Sequence, residues 1–442
     1  MGGPTDTIVA AATPPGIGGV GIVRISGNDA PRIGERILGE LPQARVAELR
    51  NFAGADGEPV DKGIALYFPS PGSFTGEPVI ELHGHGGPTV MALLVEAAVA
   101  HGARLAEPGE FSKRAFLNDK LDLAQAEAIA DLIESGTAQA ARAALRSLSG
   151  DFSRAVNELV GQLTDLRVHV EAAIDFPEEE IDFLSDQQLL KRIEDCDAAF
   201  EKLLAAAKVG RVLRDGYQVV LVGKPNAGKS SLMNRLSGEE TAIVTEIAGT
   251  TRDILRERID IDGLSVELVD TAGLRDNPDI IEKEGIRRAR EAMANADAVL
   301  WIQDATDKAA EEIGERVAEG VPIVVVRNKI DLVDEGASDD EAIHLSATTG
   351  TGLDALREEI RRLAGYKDLG EGALTARRRH VDALKRAADH FETGRTALNE
   401  TRAGEILAEE LRLAQQALGE ITGTVSSDDL LGLIFADFCI GK

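Results

Sequence analysis

The chain has 442 residues, too many for one ordinary domain, and its 43% apolar but only 4% aromatic composition favours helices packed through aliphatic side chains. A formal net charge of −28 excludes a grip on nucleic acid by the whole surface, because neutralising phosphates supplies that affinity; any such contact must be local or shared with a partner. Two cysteines make neither a disulfide framework nor a zinc site, no basic start leads into an apolar stretch, and no apolar run approaches the roughly 18 residues that span a bilayer, so a cytoplasmic location without membrane contact is expected.

Residues 1–118 mix short β-like runs with Gly and Pro clusters. "TIVAAATPPGIGGVGIVRISG" reads as strand, turn, strand; "GIALYFP" and "PVIELHGHGGP" read as further strands, and "TVMALLVEAAVAHGA" as a helix. This is an α+β domain. Residues 119–214 are helical: "LDLAQAEAIADLIESGTAQAARAALRSLSG" comes first, then a stripe of Phe152, Val156, Leu159, Leu163, Leu166, Val170 and Ala173. Pro177 in "DFPEEEIDF" stops it, and "DQQLLKRIEDCDAAFEKLLAAAK" forms the next helix. Residues 215–365 alternate strands ("YQVVLVG", "LSVELVDTAG", "AVLWIQDA", "VPIVVVRNKID", "AIHLSA") with helices, the pattern of a parallel α/β sheet. Residues 366–442 return to helix, with Leu407, Leu411, Ala414, Leu418 and Ile421 on one stripe. The economical arrangement is one all-α domain with the α/β domain inserted into it; two separate bundles are the alternative.

"GKPNAGKSS" follows a strand and opens a helix. Gly223, Gly228, Lys229 and Ser230 fill the P-loop pattern, in which a Gly-rich turn aims backbone N–H groups at phosphates, the lysine reaches the β and γ oxygens and the serine holds Mg²⁺. Asn226, Ala227 and Ser231 belong to the same turn. "DTAG" (Asp270, Thr271, Ala272, Gly273) closes a strand with a carboxylate for the Mg²⁺ water shell. "NKID" places Asn328, Lys329 and Asp331 at another strand end, where the Asp331 carboxylate accepts the guanine N1–H and exocyclic amine that adenine lacks in that arrangement. "SAT" (Ser346, Ala347, Thr348) offers a backbone N–H to guanine O6. Together these specify a GTPase. Leu274 stands where a Ras-type GTPase carries its water-orienting Gln, so another group must organise hydrolysis. The Asn226 amide oxygen and the carbonyl-rich loop Thr245, Glu246, Ile247, Ala248, Gly249, Thr250 and Thr251 are the candidates for holding a cation there.

"GKPNAGKSSLMN", "IAGTTRD", "DTAGLR", the terminal "CIGK", and the N-terminal runs "DTIVAAATPPGIGGVGIVRISG" and "EPGEFSKRAFLNDKLDLAQAEAIADLI" resemble the MnmE (TrmE) family of tRNA modification GTPases over nearly the whole chain. The resemblance implies a multidomain protein: an N-terminal tetrahydrofolate-binding and dimerising α+β domain, a helical domain and an inserted P-loop GTPase domain. It implies a homodimer that works with an FAD-dependent partner of the MnmG family in a heterotetramer-type complex. That complex would add an aminomethyl- or carboxymethylaminomethyl-type group to C5 of the wobble uridine (position 34) of certain tRNAs. The tRNA would be shared with the partner, and the carbon donor would be 5,10-methylene- or 5-formyltetrahydrofolate. It further implies that hydrolysis depends on K⁺ held by Asn226, Thr245, Ile247 and Thr250, with Mg²⁺ on Ser230 and Thr251, and that Glu282 orients the attacking water. Arg24, Glu81, Lys120 and Lys442 would meet the folate, with Cys439 close to the modification chemistry. Arg252 and Arg275 flank the switches as dimer contacts or solvated arginines.

Other features have blander readings. His83 and His85 share one side of a strand but show no third metal ligand. "ARRRH" (Ala376–His380) is the best sequence candidate for tRNA phosphate contact, yet reads first as a solvated face. Cys196 reads as a packing residue. Cys439 has prenylation spacing, but Gly441 and Lys442 do not fit that motif. A ribosome-assembly switch GTPase is the competing function; it would carry a basic RNA-binding module after the GTPase domain, where this chain has acidic helices. A membrane transport GTPase lacks its apolar spans.

Overall fold

The computed structural model describes residues 6–175, 187–224, 226–239, 255–270, 296–307, 321–333, 341–365, 373–425, 428–436, 438 and 441. In chain order the elements begin with β1 (Ile8–Ala11), β2 (Gly18–Ser26), α1 (Ala30–Leu38), β3 (Glu48–Ala53), β4 (Pro59–Phe68), β5 (Val79–Gly86), α2 (Pro88–Ala100), β6 (Arg104–Leu105), α3 (Glu110–Leu117), α4 (Leu123–Glu134), α5 (Ala138–Leu148), α6 (Asp151–Asp175) and α7 (Gln187–Asp215). Then come β7 (Tyr217–Gly223), α8 (Lys229–Glu239), β8 (Leu255–Ile261), β9 (Leu264–Asp270), β10 (Ala298–Asp304), β11 (Ile323–Asn328), β12 (Ile343–His344), α9 (Leu353–Leu363), α10 (Arg378–Thr401), α11 (Gly404–Thr422) and α12 (Asp428–Ala436). They form two compact units: Met1–Ala130, Leu148–Val160 and Leu411–Lys442 make one, Asp131–Ser147 and Gly161–Glu410 the other.

The first unit is built on a sheet of order β3-β4-β5-β2-β1-β6, antiparallel except for the short β1–β6 pair. Strand alternation sends Val23, Ile25, Ile80 and Leu82 to the face covered by α1 and α2, where they pack with Ile33, Ile37, Leu94 and Ala97. The same alternation turns Arg24, Glu81 and His83 to the opposite face. Beside the sheet, Leu123 and Ala126 of α4 pack with Leu431, Ile434 and Phe435 of α12. Gly109 has φ +63 and a Cβ there would stand 2.6 Å from the Phe435 carbonyl, so only glycine lets α3 start this close to α12.

One buried cation ties this unit together. The Arg114 side chain on α3 is 1% exposed and donates to Asp6 Oδ1 at 2.8 Å, Glu110 Oε1 at 2.9 Å and Glu77 at 3.2 Å, and to the Asp6 carbonyl at 2.8 Å. Arg104 adds a second guanidinium on Glu110 and Asp6. Burial works against ionisation of Glu110, but hydrogen bonds from Arg104, the Glu107 N–H and Arg114 outweigh it and hold the carboxyl below its usual range. Asp6 is likewise held low, chiefly by its hydrogen bond from Arg104.

In the second unit the sheet order is β12-β11-β10-β7-β9-β8, parallel except for the edge strand β8, which is the order of a P-loop GTPase domain. Leu232 and Leu236 of α8 and Leu356 and Ile360 of α9 close over its buried strands. Helices from either side of this α/β segment pack together: Phe200 of α7 meets Phe391 of α10 with ring centroids 5.3 Å apart, and Arg395 donates to Asp197 at 2.9 Å. The α/β segment is thus an insert in a helical host.

Where the chain enters and leaves the insert it is clasped. Asp131 is 7% exposed and accepts from both Arg214 Nε and Arg377 Nη2 at 2.8 Å. Arg146 donates to the Ala373 carbonyl, Ser147 bonds Thr375, and Gly210 sits so close that a Cβ would stand 2.4 Å from the Leu374 carbonyl.

The helical stripes behave as their spacing requires. Phe152, Val156, Leu159, Leu163, Leu166 and Val170 are buried, as are Leu407, Leu411, Ala414, Leu418 and Ile421. The helical run expected from Leu121 onward is broken into α4 and α5, because the Ser135 hydroxyl donates to the Leu132 carbonyl and Thr137 Oγ1 caps the N–H of Ala140. The helix expected near Lys208 runs on to Asp215.

Arg114→Met leaves Glu77 without a guanidinium partner and Glu110 and Asp6 with Arg104 alone, and should lower the stability of the first unit by about 3–5 kcal/mol at neutral pH. Depressed carboxylate pKa values contribute stability that is full above their unfolded values and lost as pH falls through the folded ones. Thermal unfolding midpoints of the variant and wild type should therefore converge as the pH is lowered from about 7 to about 3.

Candidate nucleotide and ligand sites

The nucleotide site lies at the C-terminal edge of the parallel sheet, where β7 runs between β9 and β10. Gly223 ends β7 against β10; a Cβ there would stand 2.3 Å from the Ile302 carbonyl. The turn that follows carries Asn226 at φ +65, a left-handed conformation that asparagine tolerates, and Gly228 at φ +95. Lys229 starts α8 and is 5% exposed; its ammonium donates to the carbonyls of Gly223 at 2.8 Å and Lys224 at 2.9 Å. It is thereby held inside the loop, where phosphate oxygens can replace those carbonyls. Asn226, Ser230 and Ser231 are exposed, and Ala227 is buried.

Asn328, 1% exposed, joins three motifs. Its Nδ2 donates to the Ala227 carbonyl of the P-loop at 3.0 Å; its Oδ1 accepts from the N–H of Lys329 at 2.8 Å and of Ala347 at 3.0 Å. Gly228 lies directly against it, with the position of a Cβ 2.1 Å from Nδ2. Lys329, at φ +68, reaches Asp304 Oδ2 at 2.6 Å. Burial opposes ionisation of Asp304, but hydrogen bonds from Lys329 and Thr306 hold its carboxyl below the usual range. Asp331 is exposed on a single 3₁₀ turn, Ile330–Leu332. In the SAT motif, Ser346 and Ala347 already donate their N–H groups to Thr351 O and Asn328 Oδ1, and Thr348 is the exposed member. Asp270 ends β9 beside Leu221, which brings its backbone next to the P-loop strand.

Thr245, Glu246, Ile247, Ala248, Gly249, Thr250, Thr251, Thr271, Ala272, Gly273 and Glu282 lie outside the described residues, as do Arg252, Leu274, Arg275, Cys439 and Lys442.

A second site occupies the outer face of the first unit's sheet. Arg24 and Glu81 are register partners on β2 and β5, and Arg24 Nε donates to Glu81 Oε1 at 2.8 Å. The guanidinium carbon lies 5.7 Å from each of the Phe74 and Phe111 ring centroids, so the cation is held by two aromatic faces. Arg24 Nη1 also donates to the Gly441 carbonyl at 3.5 Å. Gly441 has φ +97, and a Cβ there would stand 2.3 Å from the Ala11 carbonyl, so the tail seats against β1 only through a glycine. Lys120 is exposed and donates to Pro71 O at 3.0 Å, on the flank of the β4–β5 loop that carries Phe74. Arg24, Glu81 and Gly441 are therefore brought together, with Lys120 on the adjoining loop.

The two histidines of "ELHGHGGP" part company. His83 Nε2 meets Glu81 Oε2 at 3.1 Å, whereas His85 Nδ1 meets Asp61 Oδ1 at 2.8 Å. Among the described residues no three His, Cys, Asp or Glu side chains form a metal-holding group. In the basic cluster, Arg377 caps α10 and pairs with Asp131. Burial pushes the Cys196 thiol up to about 12, which suits packing and not reactivity. Phe74, Phe111 and the bridging role of Asn328 are absent from the motif reading.

Residues 7–120 match the family described as the N-terminus of GTP-binding protein TrmE, and residues 123–439 match the MnmE helical domain. A relative from Hydrogenovibrio crunogenus, a tRNA modification GTPase MnmE, is 55% identical over 445 residues, covering 99% of each chain. Among solved structures, the G domain of the T. maritima FeoB iron transporter is 26% identical, covering 34% of this chain and 98% of its own, with a TM-score of 0.26. A GTP-binding protein from Sulfolobus solfataricus in complex with GDP is 21% identical, covering 48% and 68%, with a TM-score of 0.27.

Asn328→Ala removes the bond to the P-loop and leaves two buried N–H groups unpaired. GDP affinity, read by titration with a fluorescent GDP analogue, should fall by at least about tenfold. Gly228→Ala should have a comparable effect through its clash with the same side chain.

Proposed function

The chain belongs to the MnmE family of tRNA modification GTPases, and from that premise we propose that it hydrolyses GTP to drive modification of the wobble uridine of tRNA. The observation that carries this reading is Asn328, which binds the P-loop, NKID and SAT segments into one guanine-nucleotide pocket in a chain whose family match extends from end to end. Asp331 selects guanine because any other base leaves its carboxylate unpaired once the pocket is filled. Lys229 gives up the Gly223 and Lys224 carbonyls for the β and γ phosphates. Ser230 is placed at the start of α8 to take part in holding Mg²⁺.

With no glutamine at position 274, we assign the organisation of hydrolysis to a K⁺ held by Asn226, Thr245, Ile247 and Thr250. Bound there, the cation supplies positive charge where an arginine finger would act. The left-handed backbone and exposure of Asn226 support its part in this set. Thr251 completes the Mg²⁺ ligands, and Glu282 orients the attacking water.

We assign the binding of a 5,10-methylene- or 5-formyltetrahydrofolate, which supplies one carbon, to Arg24, Glu81, Lys120 and Lys442. The Arg24–Glu81 pair fits this role: a fixed carboxylate for ring N–H donors beside a cation set against two aromatic rings. Gly441 lies against Arg24 and β1, which supports a role for the neighbouring Cys439 in the modification chemistry. The protein acts in the cytoplasm as a homodimer with an FAD-dependent MnmG-type partner, with which it shares the tRNA. We propose domain bounds of 1–118, 119–214, 215–365 and 366–442. Among the described residues no helix is long and apolar enough to cross a membrane.

GTP hydrolysis should run at least about tenfold faster in K⁺ than in Na⁺. Glu282→Ala should slow it with nucleotide affinity nearly unchanged. Equal rates in the two salts remove Asn226 from the mechanism. Deleting the gene should abolish C5 aminomethyl-type wobble nucleosides in total tRNA by mass spectrometry. A copy lacking the last four residues should not restore them; unchanged nucleosides would favour the ribosome-switch reading.

A further inference from the structure

Both oxygens of Glu81 are held. Arg24 Nε donates to Oε1 at 2.8 Å, and His83 Nε2 meets Oε2 at 3.1 Å. Glu81 and His83 are two residues apart on β5 and so share one face; His83 lies between its register partners Ile22 of β2 and Ile64 of β4. An ionised carboxylate only accepts, which puts the imidazole proton on Nε2. With one donor on each oxygen, the carboxylate cannot turn about its last torsion without losing a bond. Each oxygen keeps a second acceptor site, and the direction of both is fixed.

The two donors differ in what holds them. Arg24 is shared with Phe74, Phe111 and the tail carbonyl of Gly441, so its place depends on the loop, α3 and the tail. His83 comes from the same strand as Glu81 and depends on none of these. We propose that His83 is a positioning residue: it locks the Glu81 carboxylate so that its free acceptor sites meet the ring N–H and 2-amino group of a pterin-type heterocycle. This rests on the folate reading above.

The experiment measures binding of 5-formyltetrahydrofolate, and of an analogue whose 2-amino group is replaced by methyl, to the full-length protein by calorimetry. The variants are His83→Ala, His83→Gln and Glu81→Gln. His83→Ala should weaken the parent ligand about tenfold but the analogue by less than about twofold. His83→Gln, whose amide can donate to the same oxygen, should restore parent binding to within about threefold of wild type. Wild-type protein that does not bind 5-formyltetrahydrofolate overturns the folate reading and this inference with it. Binding lost in Glu81→Gln but unchanged in His83→Ala overturns the role of His83 alone. Equal losses on both ligands mark a fold defect and likewise overturn it.

Discussion

The outer face of the N-terminal sheet depends on a cation that never touches it. Arg114 is buried and pairs with Asp6, Glu77 and Glu110, and each carboxylate comes from a different part of the chain. Glu77 belongs to the loop that carries Phe74; Glu110 belongs to α3, which carries Phe111. These two rings hold Arg24 beside Glu81. A buried guanidinium has no cheap alternative arrangement, because moving it away from these carboxylates leaves its charge without compensation. Loop, helix and N-terminal segment are therefore fixed together, and the ligand face inherits that rigidity.

The nucleotide site is built by a different device. There the controlling quantity is closeness of backbone: Gly223 against β10, Gly228 against Asn328, and the carbonyls that receive Lys229. A side chain of one carbon at either glycine would displace a strand or the asparagine. Asn328 then converts closeness into register by using its one amide to fix three segments. Charge organises one site and the absence of Cβ atoms organises the other.

This contrast decides what was legible in the sequence. P-loop, NKID and SAT are contiguous words, and each stands at the end of a short apolar run that reads as a strand of a parallel sheet. The stripes of α6 and α11 were legible for the same reason, since their spacing alone sets which side is buried. The outer sheet face draws on positions 24, 74, 81, 111 and 441, which no local pattern links; only the family resemblance picked out Arg24 and Glu81. The pairing of His83 with Glu81 was open to inspection, because residues two apart in a strand share a face. The two histidines drew attention to each other instead. The α4–α5 break turned on Ser135 and Thr137 competing for backbone bonds, an effect that helical periodicity over the longer run conceals.

The clasp around the insert bears on the order in which the molecule takes shape. Asp131 and Arg377 are 246 residues apart, and α7 reaches its partner α10 only across the whole α/β segment. As the chain leaves the ribosome, α4 to α7 emerge well before the helices they pack against. The insert has its own sheet, which can form as soon as β12 and α9 are out, and its core is shared with Ala143, Val212 and Leu213 of helices already made. Once it is folded, Asp215 and Ala373 are joined through a compact body, and the loop that must be closed is no longer a long flexible chain. The inserted domain thus serves as a brace for assembly, and the helical host, though it starts first, is completed last.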